Sequence, residues 1–445
     1  MLQLNITFLE NPSRKVLIFT YYWPPASGPG VQRFLKFAKY FPEYGWQPIV
    51  ITPKDGSYPY YDETLLYDIP ANMEIHHTKT LEPFGLYNFL RGAKGKSVPV
   101  AMTGIKDSNS LLQKMSKYIR ANYFIPDARI GWNKYAIKKA NEIISNTEIN
   151  AIITTGPPQS SHLIGLHLKK THKLPWIADF RDPWTTVYYN KFLPRSSSSI
   201  RKDKKLENIV LENADIVTTV SPGIKNEFED RAKRSEVIYN GFDENDIYSS
   251  KLSPTPKFRL SYIGNYKPNQ DVEALWLAIK ELKEEIADFA ENFNLSFTGI
   301  VDPNIIARIN DLGLVDILET NTFVTHSEAN NLMFNTNLLL FVIPQGSNNQ
   351  VILTGKIFEY LASRSPMLSI GPTDGNASEV INESGRDQMI AYEDKEVIKK
   401  VILDYYEKWQ HHDKMPFKHE NNDYQRFSRK ELTKQYSSLL NTLIS

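Results

Sequence analysis

The 445-residue sequence contains no cysteine. Disulfides, thiolate metal sites and a cysteine nucleophile are therefore excluded, which fits a reducing compartment. A charge excess is missing too: 52 Lys and Arg stand against 51 Asp and Glu, a formal net charge of +1. Proteins whose main partner is nucleic acid usually carry a strong basic surplus, so no nucleic-acid partner is expected. Apolar runs are short, and none approaches the roughly 20 residues that span a bilayer. The opening MLQLNITFLENPSRK lacks a charged segment followed by a long apolar core, so no signal peptide is expected. Acidic and histidine residues show no metal-ligand spacing, and no metal is expected. The expectation is a cytoplasmic protein. Two local basic clusters, RGAKGK (residues 91–96) and RSSSSIRKDKK (195–205), leave room for peripheral contact with the cytoplasmic membrane face. Solvated loops are the simpler account of both.

What is present is a repeated alternation. The chain is too long for one ordinary core, and two domains of roughly 200 residues are expected. KVLIF (15–19) is a short apolar run of the kind buried on both faces of a parallel sheet. After a connector rich in proline and glycine, Val31, Phe34, Leu35, Ala38 and Phe41 recur at helical spacing, with Pro42 and Gly45 as the stop. PIVIT (48–52), AIITT (151–155), WIADF (176–180), IVTTVS (216–221) and VIYNGFD (237–243) read as further strands. The pattern is poor over 73–122, which reads as a long insertion. SSKLSPTPK (249–257) is polar, carries two prolines and reads as a linker. Beyond it come RLSYIG, a helix from about Asp271, LSFTGI, TFVTH, LLLFVI and PMLSIG, then a closing amphipathic helix from about Arg426. The expected architecture is α/β, with two Rossmann-like domains facing across a cleft. Residues 1–248 form the first domain, 249–257 the linker and 258–424 the second. Residues 425–445 form a last helix that can pack back on the first domain.

Three connectors are unusual. In YYWPPASGPG, Gly28 and Gly30 permit close backbone approach before a helix start, which suits a phosphate or pyrophosphate. A structural tight turn is the alternative. The dinucleotide fingerprint is incomplete, because position 33 is Arg where a third glycine belongs. In TGKIFEYLASRSPMLSIG (354–371), Thr354 can cap a helix whose first turn holds Gly355 and Lys356, with Glu359 one turn on. Such a site would take a phosphate and a sugar hydroxyl together; a surface Lys/Glu pair is the alternative. In ADFRDPW (178–184), Asp179, Arg181 and Asp182 stand near a strand end, beside GPPQSSH with His162. These carboxylates can orient hydroxyls or form an internal salt bridge, and His162 can serve as a core or capping residue.

Taken together these pieces resemble the retaining GT-B glycosyltransferases of family four, over nearly the whole chain. VLIFTYYWPPASGPGVQRFLKFAKYF resembles the family's first strand, glycine loop and helix. ENADIVTTVS with VIYNGFD resembles the end of its acceptor domain. RLSYIGNY resembles the start of its donor domain, and GKIFEYLASRSPMLSIG its donor helix. TTGPPQSSHLIG with ADFRDPW resembles a bacterial subset acting in surface-polysaccharide assembly. The resemblance implies a nucleoside-diphosphate sugar as co-substrate, no further cofactor, and a glycan or lipid-linked acceptor. It implies donor contacts at Gly28, Gly30, Gly264, Lys267, Thr354, Gly355, Lys356 and Glu359. Glu359 matches the second glutamate of the family's E-x7-E motif, but Val351 stands at the first, and Asn265 stands where an Arg is expected. Asp179, Asp182, His162 and Lys356 are the candidate catalytic groups. An inactive GT-B scaffold module and a sugar-nucleotide epimerase are the competing readings, and a nicotinamide dehydrogenase is disfavoured by Arg33.

Overall fold

Strands Ala151–Gly156, Trp176–Phe180 and Leu338–Val342 are buried at every position, which a sheet requires only when both of its faces are covered. The computed structural model describes residues 14–58, 61–82, 111–246, 252–322 and 324–444. The chain divides into two compact units: Met1–Tyr239 with Leu432–Ser445, and Asn240–Glu431.

In the first unit, β1 (Arg14–Phe19), β2 (Trp46–Pro53), β3 (Glu74–Thr78), β4 (Ala151–Gly156), β5 (Trp176–Phe180), β6 (Ile216–Thr219) and β7 (Ser235–Val237) form one sheet. Their order is β3-β2-β1-β4-β5-β6-β7, and every pairing is parallel. The order reverses between β1 and β4. In an open parallel sheet, that reversal parts the connecting loops at the carboxyl ends of the two strands and leaves a crevice there. Residues 20–28 and 157–160 border it.

The second unit repeats the plan with β8 (Phe258–Ile263), β9 (Phe293–Thr298), β10 (Leu318–Asn321), β11 (Leu338–Val342) and β12 (Met367–Ile370). The order β10-β9-β8-β11-β12 is again parallel throughout. Here the reversal lies between β8 and β11, so residues 264–272 and 343–355 border the crevice.

The helix Pro29–Tyr40 starts where Gly28, at φ 123°, lets the chain turn and Pro29 supplies a preset first position. The α-helix stops at Tyr40, Pro42 stands second in a short 3-10 turn, Phe41–Tyr44, and Gly45 closes it at φ 78°. The last helix, Arg429–Thr442, places Leu432, Tyr436, Leu439 and Leu440 in the core of the first unit. The Tyr436 ring meets those of Phe34, Phe37 and Phe41 at 5.4–6.2 Å between centroids.

Some sequence expectations are corrected. TFVTH is not a strand: β10 ends at Asn321, and Thr325 instead caps His326–Phe334 in a capping box with Glu328. VIYNGFD contributes only Val237 to β7, because Gly241 (φ 63°) and the Asp243 carboxylate, accepting from the Asn245 N–H at 3.1 Å, turn the chain out of the sheet. IVTTVS stops at Thr219, since Ser221 caps Pro222–Phe228. Within 73–122 the described residues form β3 and the helix Leu111–Tyr123. Residues 83–110, with RGAKGK, lie outside the described residues, as do 247–251 of the linker region.

Candidate functional site

The crevice of the second unit gathers several of the expected donor residues. Gly264 follows β8 at φ 122°, a conformation open to glycine, and a Cβ there would lie 2.6 Å from the Lys356 Nζ. The two residues thus touch, although 92 positions separate them. Lys356 opens the helix Lys356–Ser363 and lays its ammonium 3.8 Å from the centroid of the Tyr262 ring. Burial pulls its pKa down from 10.5 to about 7; Glu359, one turn along, opposes that shift, and Lys267 adds to it. A lysine poised in this way gains charge when an anion arrives. The helix start adds N–H groups without intrahelical partners. Thr354 does not cap this helix with its side chain. Gly355 occupies the cap, and Thr354 contributes its carbonyl, which accepts from the Ile357 N–H at 3.3 Å. Nothing lies within 4 Å of a Cβ built on Gly355. Lys267 is exposed beside this crevice. Val351 is 49% exposed in the turn Asn349–Val351.

Two residues that sequence reasoning passed over hold this loop. Gln270 donates to the Val342 carbonyl at 2.7 Å and accepts from the Lys267 N–H at 3.1 Å. Tyr262 donates to the Asn265 carbonyl at 3.2 Å. The loop after β8 is thereby tied to the end of β11. No signal in the letters marks a glutamine for that work.

The first unit is organised around Asp179. This carboxylate lies inside β5 with no exposure, and Arg33 from the first helix reaches it with two donors, at 2.7 and 3.2 Å. Thr155 of β4 and Thr218 of β6 donate to it at 2.9 Å each. The third Arg33 nitrogen donates to the Tyr239 carbonyl at 2.8 Å. Asp179 therefore occupies the internal salt-bridge role, its oxygens each filled by two donors, rather than facing an acceptor.

Arg181 joins the loops at the crevice. Its Nε donates to the Gly156 carbonyl at 3.1 Å, its Nη2 to the Pro157 carbonyl, and its Nη1 lies 1.6 Å from where a Gly30 Cβ would stand. Gly30 is required by that approach, and Gly28 by its positive φ. A guanidinium thus sits against the glycine loop, a cation that the sequence placed only in a possible salt-bridge cluster. Asp182 follows it half-buried, and burial raises its pKa while Arg181 opposes the rise.

His162 is fully buried and stacked on Phe180 at 4.2 Å. The Trp176 indole donates to the Thr154 hydroxyl at 2.9 Å, and that hydroxyl is 2.9 Å from His162 Nδ1. Burial lowers the His162 pKa to about 3, so the ring is neutral at physiological pH. It is placed as a core histidine against Thr154 of β4 and Phe180 of β5.

Residues 106–246 match the profile of Glycosyltransferase Family 4. No curated protein shows a significant sequence match to the chain. Among solved structures, the N-terminal domain of a trehalose-6-phosphate phosphatase from Candida albicans is similar at TM-score 0.57 and 13% identity, covering 98% of this chain and 97% of that one. A sucrose-phosphate synthase from Thermosynechococcus elongatus gives TM-score 0.55 at 13% identity, covering 97% and 99%. An Escherichia coli trehalose-6-phosphate protein bound with UDP-2-fluoro glucose gives 0.55 at 12% identity, covering 96% and 98%. At such identities the structures speak for the fold, and the profile for the activity. The chain has a GT-B-like fold with two parallel α/β sheets, it is a glycosyltransferase, and its match to family four spans residues 106–246.

Two substitutions test the electrostatics. Arg33→Met strands the Asp179 carboxylate in the core and is expected to cost about 3–5 kcal/mol at neutral pH. Urea denaturation at pH 7.5 reads this, and a stability equal to wild type would refute it. Lys356 gives a test of pH dependence. Its folded pKa near 7 lies below the unfolded value, so the folded state sheds a proton that the unfolded chain keeps, and stability rises with pH from about 7 to about 10. Lys356→Met should therefore be more stable than wild type at pH 6, with the gain shrinking toward pH 10. A variant less stable at pH 6 would contradict it.

Proposed function

We propose that this glycosyltransferase moves a sugar from a nucleoside-diphosphate donor to a glycan or lipid-linked acceptor, with retention of anomeric configuration, in surface-polysaccharide synthesis. The observation that carries the donor assignment is the meeting of Gly264, Lys356 and the helix start at the crevice of the second unit. A departing diphosphate concentrates negative charge. The Lys356 ammonium and the N–H groups at residues 354–356 supply positive potential for it, and the charge that Lys356 gains on binding strengthens the contact. Lys267 adds a second cation. Glu359, as the resemblance implies, takes the ribose hydroxyls. Without the glutamate at position 351, the sugar hydroxyls fall to Gln350 or to the backbone of residues 353–355.

In the transfer itself, the acceptor hydroxyl attacks the anomeric carbon on the face the diphosphate leaves. A departing phosphate oxygen takes the hydroxyl proton, so no protein base has to act. That division of labour accords with a neutral His162 and a saturated Asp179. In the first unit Gly28, Gly30 and Arg181 form the surface suited to phosphate, and Asp182 is the group assigned to the acceptor.

Thermal shift against UDP, GDP, ADP, CMP and NAD tests the donor site. One nucleoside diphosphate should raise the melting temperature by roughly 5 °C when present at about 100 times its Kd. Glu359→Ala should reduce that rise. No shift with any nucleotide would favour the inactive scaffold, a shift with NAD alone would overturn the donor assignment, and donor turnover without acceptor would point to an epimerase.

A lipid-linked acceptor is favoured by the helix Leu111–Tyr123. It exposes Met115 (56%), Tyr118, Ile119 and Tyr123 (75%) at spacings that share one face. Such a stripe, with the exposed Arg201, Lys202 and Lys205 of the helix Ser197–Asn213, suits the surface of an anionic bilayer. No helix among the described residues is long and apolar enough to cross a membrane. The protein should co-sediment with anionic but not zwitterionic vesicles, and Tyr118→Ser with Tyr123→Ser should weaken this severalfold. Absence of binding to either would leave a soluble glycan as the acceptor.

A further inference from the structure

The first unit contains a cavity of about 110 Å³ whose walls are of two kinds. Phe124, Trp184 and Val187 give it an apolar side. Trp184 and Val187 are buried, so that side belongs to the packing of the unit and not to open surface. Gln159 and Arg195 bring polar groups from separate segments. Gln159 lies just before the helix Ser161–His172, and Arg195 just before the cap of Ser197–Asn213.

The charged groups on the lining are engaged. Asp127 accepts from the Arg129 N–H, the Ser160 N–H and the Ser160 hydroxyl, at 2.8–2.9 Å. Asp203 accepts from the Trp184 indole at 2.7 Å and pairs with the Arg195 Nη2 at 2.7 Å. Arg129 donates to the Ser57 carbonyl at 3.3 Å, and Arg120 is likewise engaged. What remains is one donor and one acceptor. The Arg195 side chain is 8% exposed and Gln159 9%. Neither the Arg195 Nε nor the Gln159 Oε1 has a hydrogen-bond partner among the described residues. The Gln159 nitrogen donates to the Asp182 and Pro183 carbonyls at 3.5 and 3.4 Å, which orients the amide and leaves its oxygen over. Because Asp203 already meets the Arg195 charge, the open N–H calls for a neutral carbonyl. A buried donor and a buried acceptor left unpaired cost free energy that a ligand with the complementary pair restores.

We propose that this cavity binds the acetamido group of an N-acetylated acceptor sugar. The acetamido N–H donates to the Gln159 Oε1, its carbonyl accepts from the Arg195 Nε, and its methyl packs on the apolar side. A hydroxyl can meet either polar atom, but it brings nothing to Phe124 and Val187. Size agrees, because an engineered cavity of roughly 150 Å³ holds benzene, and this smaller one suits a substituent of about four heavy atoms rather than a nucleotide. That the sugar is the acceptor rests on the transfer reading above; the preference for an acetamido group does not.

Saturation-transfer NMR on the full chain, with UDP or GDP present, tests this with N-acetylglucosamine, N-acetylgalactosamine, glucose, galactose and glucosamine. At least one N-acetyl sugar should bind about tenfold more tightly than its parent hexose, with the acetamido methyl taking up the most saturation. Glucosamine, which lacks the carbonyl and the methyl, should bind no better than glucose. Gln159→Leu should weaken the N-acetyl sugar about tenfold and leave the hexose unchanged. Arg195→Lys, which keeps a cation for Asp203 but removes the Nε donor, should do the same. Gln159 makes only long contacts to the protein through its nitrogen, so Gln159→Leu carries the test if the other variant fails to fold. Equal affinity for acetylated and parent sugars, no binding of any sugar, tighter binding of glucosamine than of its N-acetyl form, or N-acetyl affinity unchanged in Gln159→Leu would overturn the proposal. Selective binding of an N-acetyl sugar that receives nothing in a transfer assay would leave the cavity assignment standing and count against the acceptor reading. Transfer to unacetylated sugars with no acetamido preference would do the reverse.

Discussion

The first unit depends on one buried ion pair. Arg33 and Asp179 have no exposed surface, and each would be costly in the core without the other. Their contact links the first helix to β5, while Thr155 and Thr218 draw β4 and β6 onto the same carboxylate. Tyr436 of the last helix reaches that cluster through the Thr218 hydroxyl at 3.2 Å. A charge that must be met by four donors fixes where those donors stand. Register along three strands and the seating of two helices are set together, and with them the loops that border the crevice. Arg181, two residues beyond Asp179, is aimed at the glycine loop by that same strand.

The second unit solves a different problem. Under the proposed donor assignment, its cation is left for a ligand to use. Lys356 rests on the Tyr262 ring, with Glu359 one turn away, and burial holds its pKa near 7. A cation–π contact contributes about 0.5–2 kcal/mol, and the proposed donor diphosphate would compete with it for Lys356. The cost of keeping a lysine so placed falls on stability, and the rest of the unit absorbs it through an apolar core that includes Phe258, Trp276, Phe289 and Trp409. Sites that act on charge commonly show this trade.

Much of the scaffold was legible in the sequence. Apolar runs of four to six residues separated by helical periodicity have few folded solutions, and β1, β4, β5, β8, β11 and β12 lie where those runs do. The glycine loop and the Lys356 helix stood out for local reasons, positive φ and helix-start chemistry. What could not be read was pairing across distance. Arg33 showed only as a missing glycine, because its partner lies 146 positions away. Asp179 looked available because its donors, Arg33, Thr155 and Thr218, all lie far from it in sequence. TFVTH was read for its hydrophobic residues, yet the T-x-x-E beginning at Thr325 carried the stronger signal. Gln270 ties a loop through tertiary contacts alone, and nothing in its neighbours announces that.

The closing helix has a consequence for how the protein is made. Leu432, Tyr436, Leu439 and Leu440 complete a core whose other buried residues all lie before position 240. On the ribosome that core stays open at one side while residues 240–431 are added, some tens of seconds at ordinary rates of synthesis. Phe34, Phe37 and Phe41 are then exposed to solvent or to other chains. The half of the molecule that emerges first is therefore the half that finishes last, and a chain cut short anywhere in the second unit leaves both unfinished.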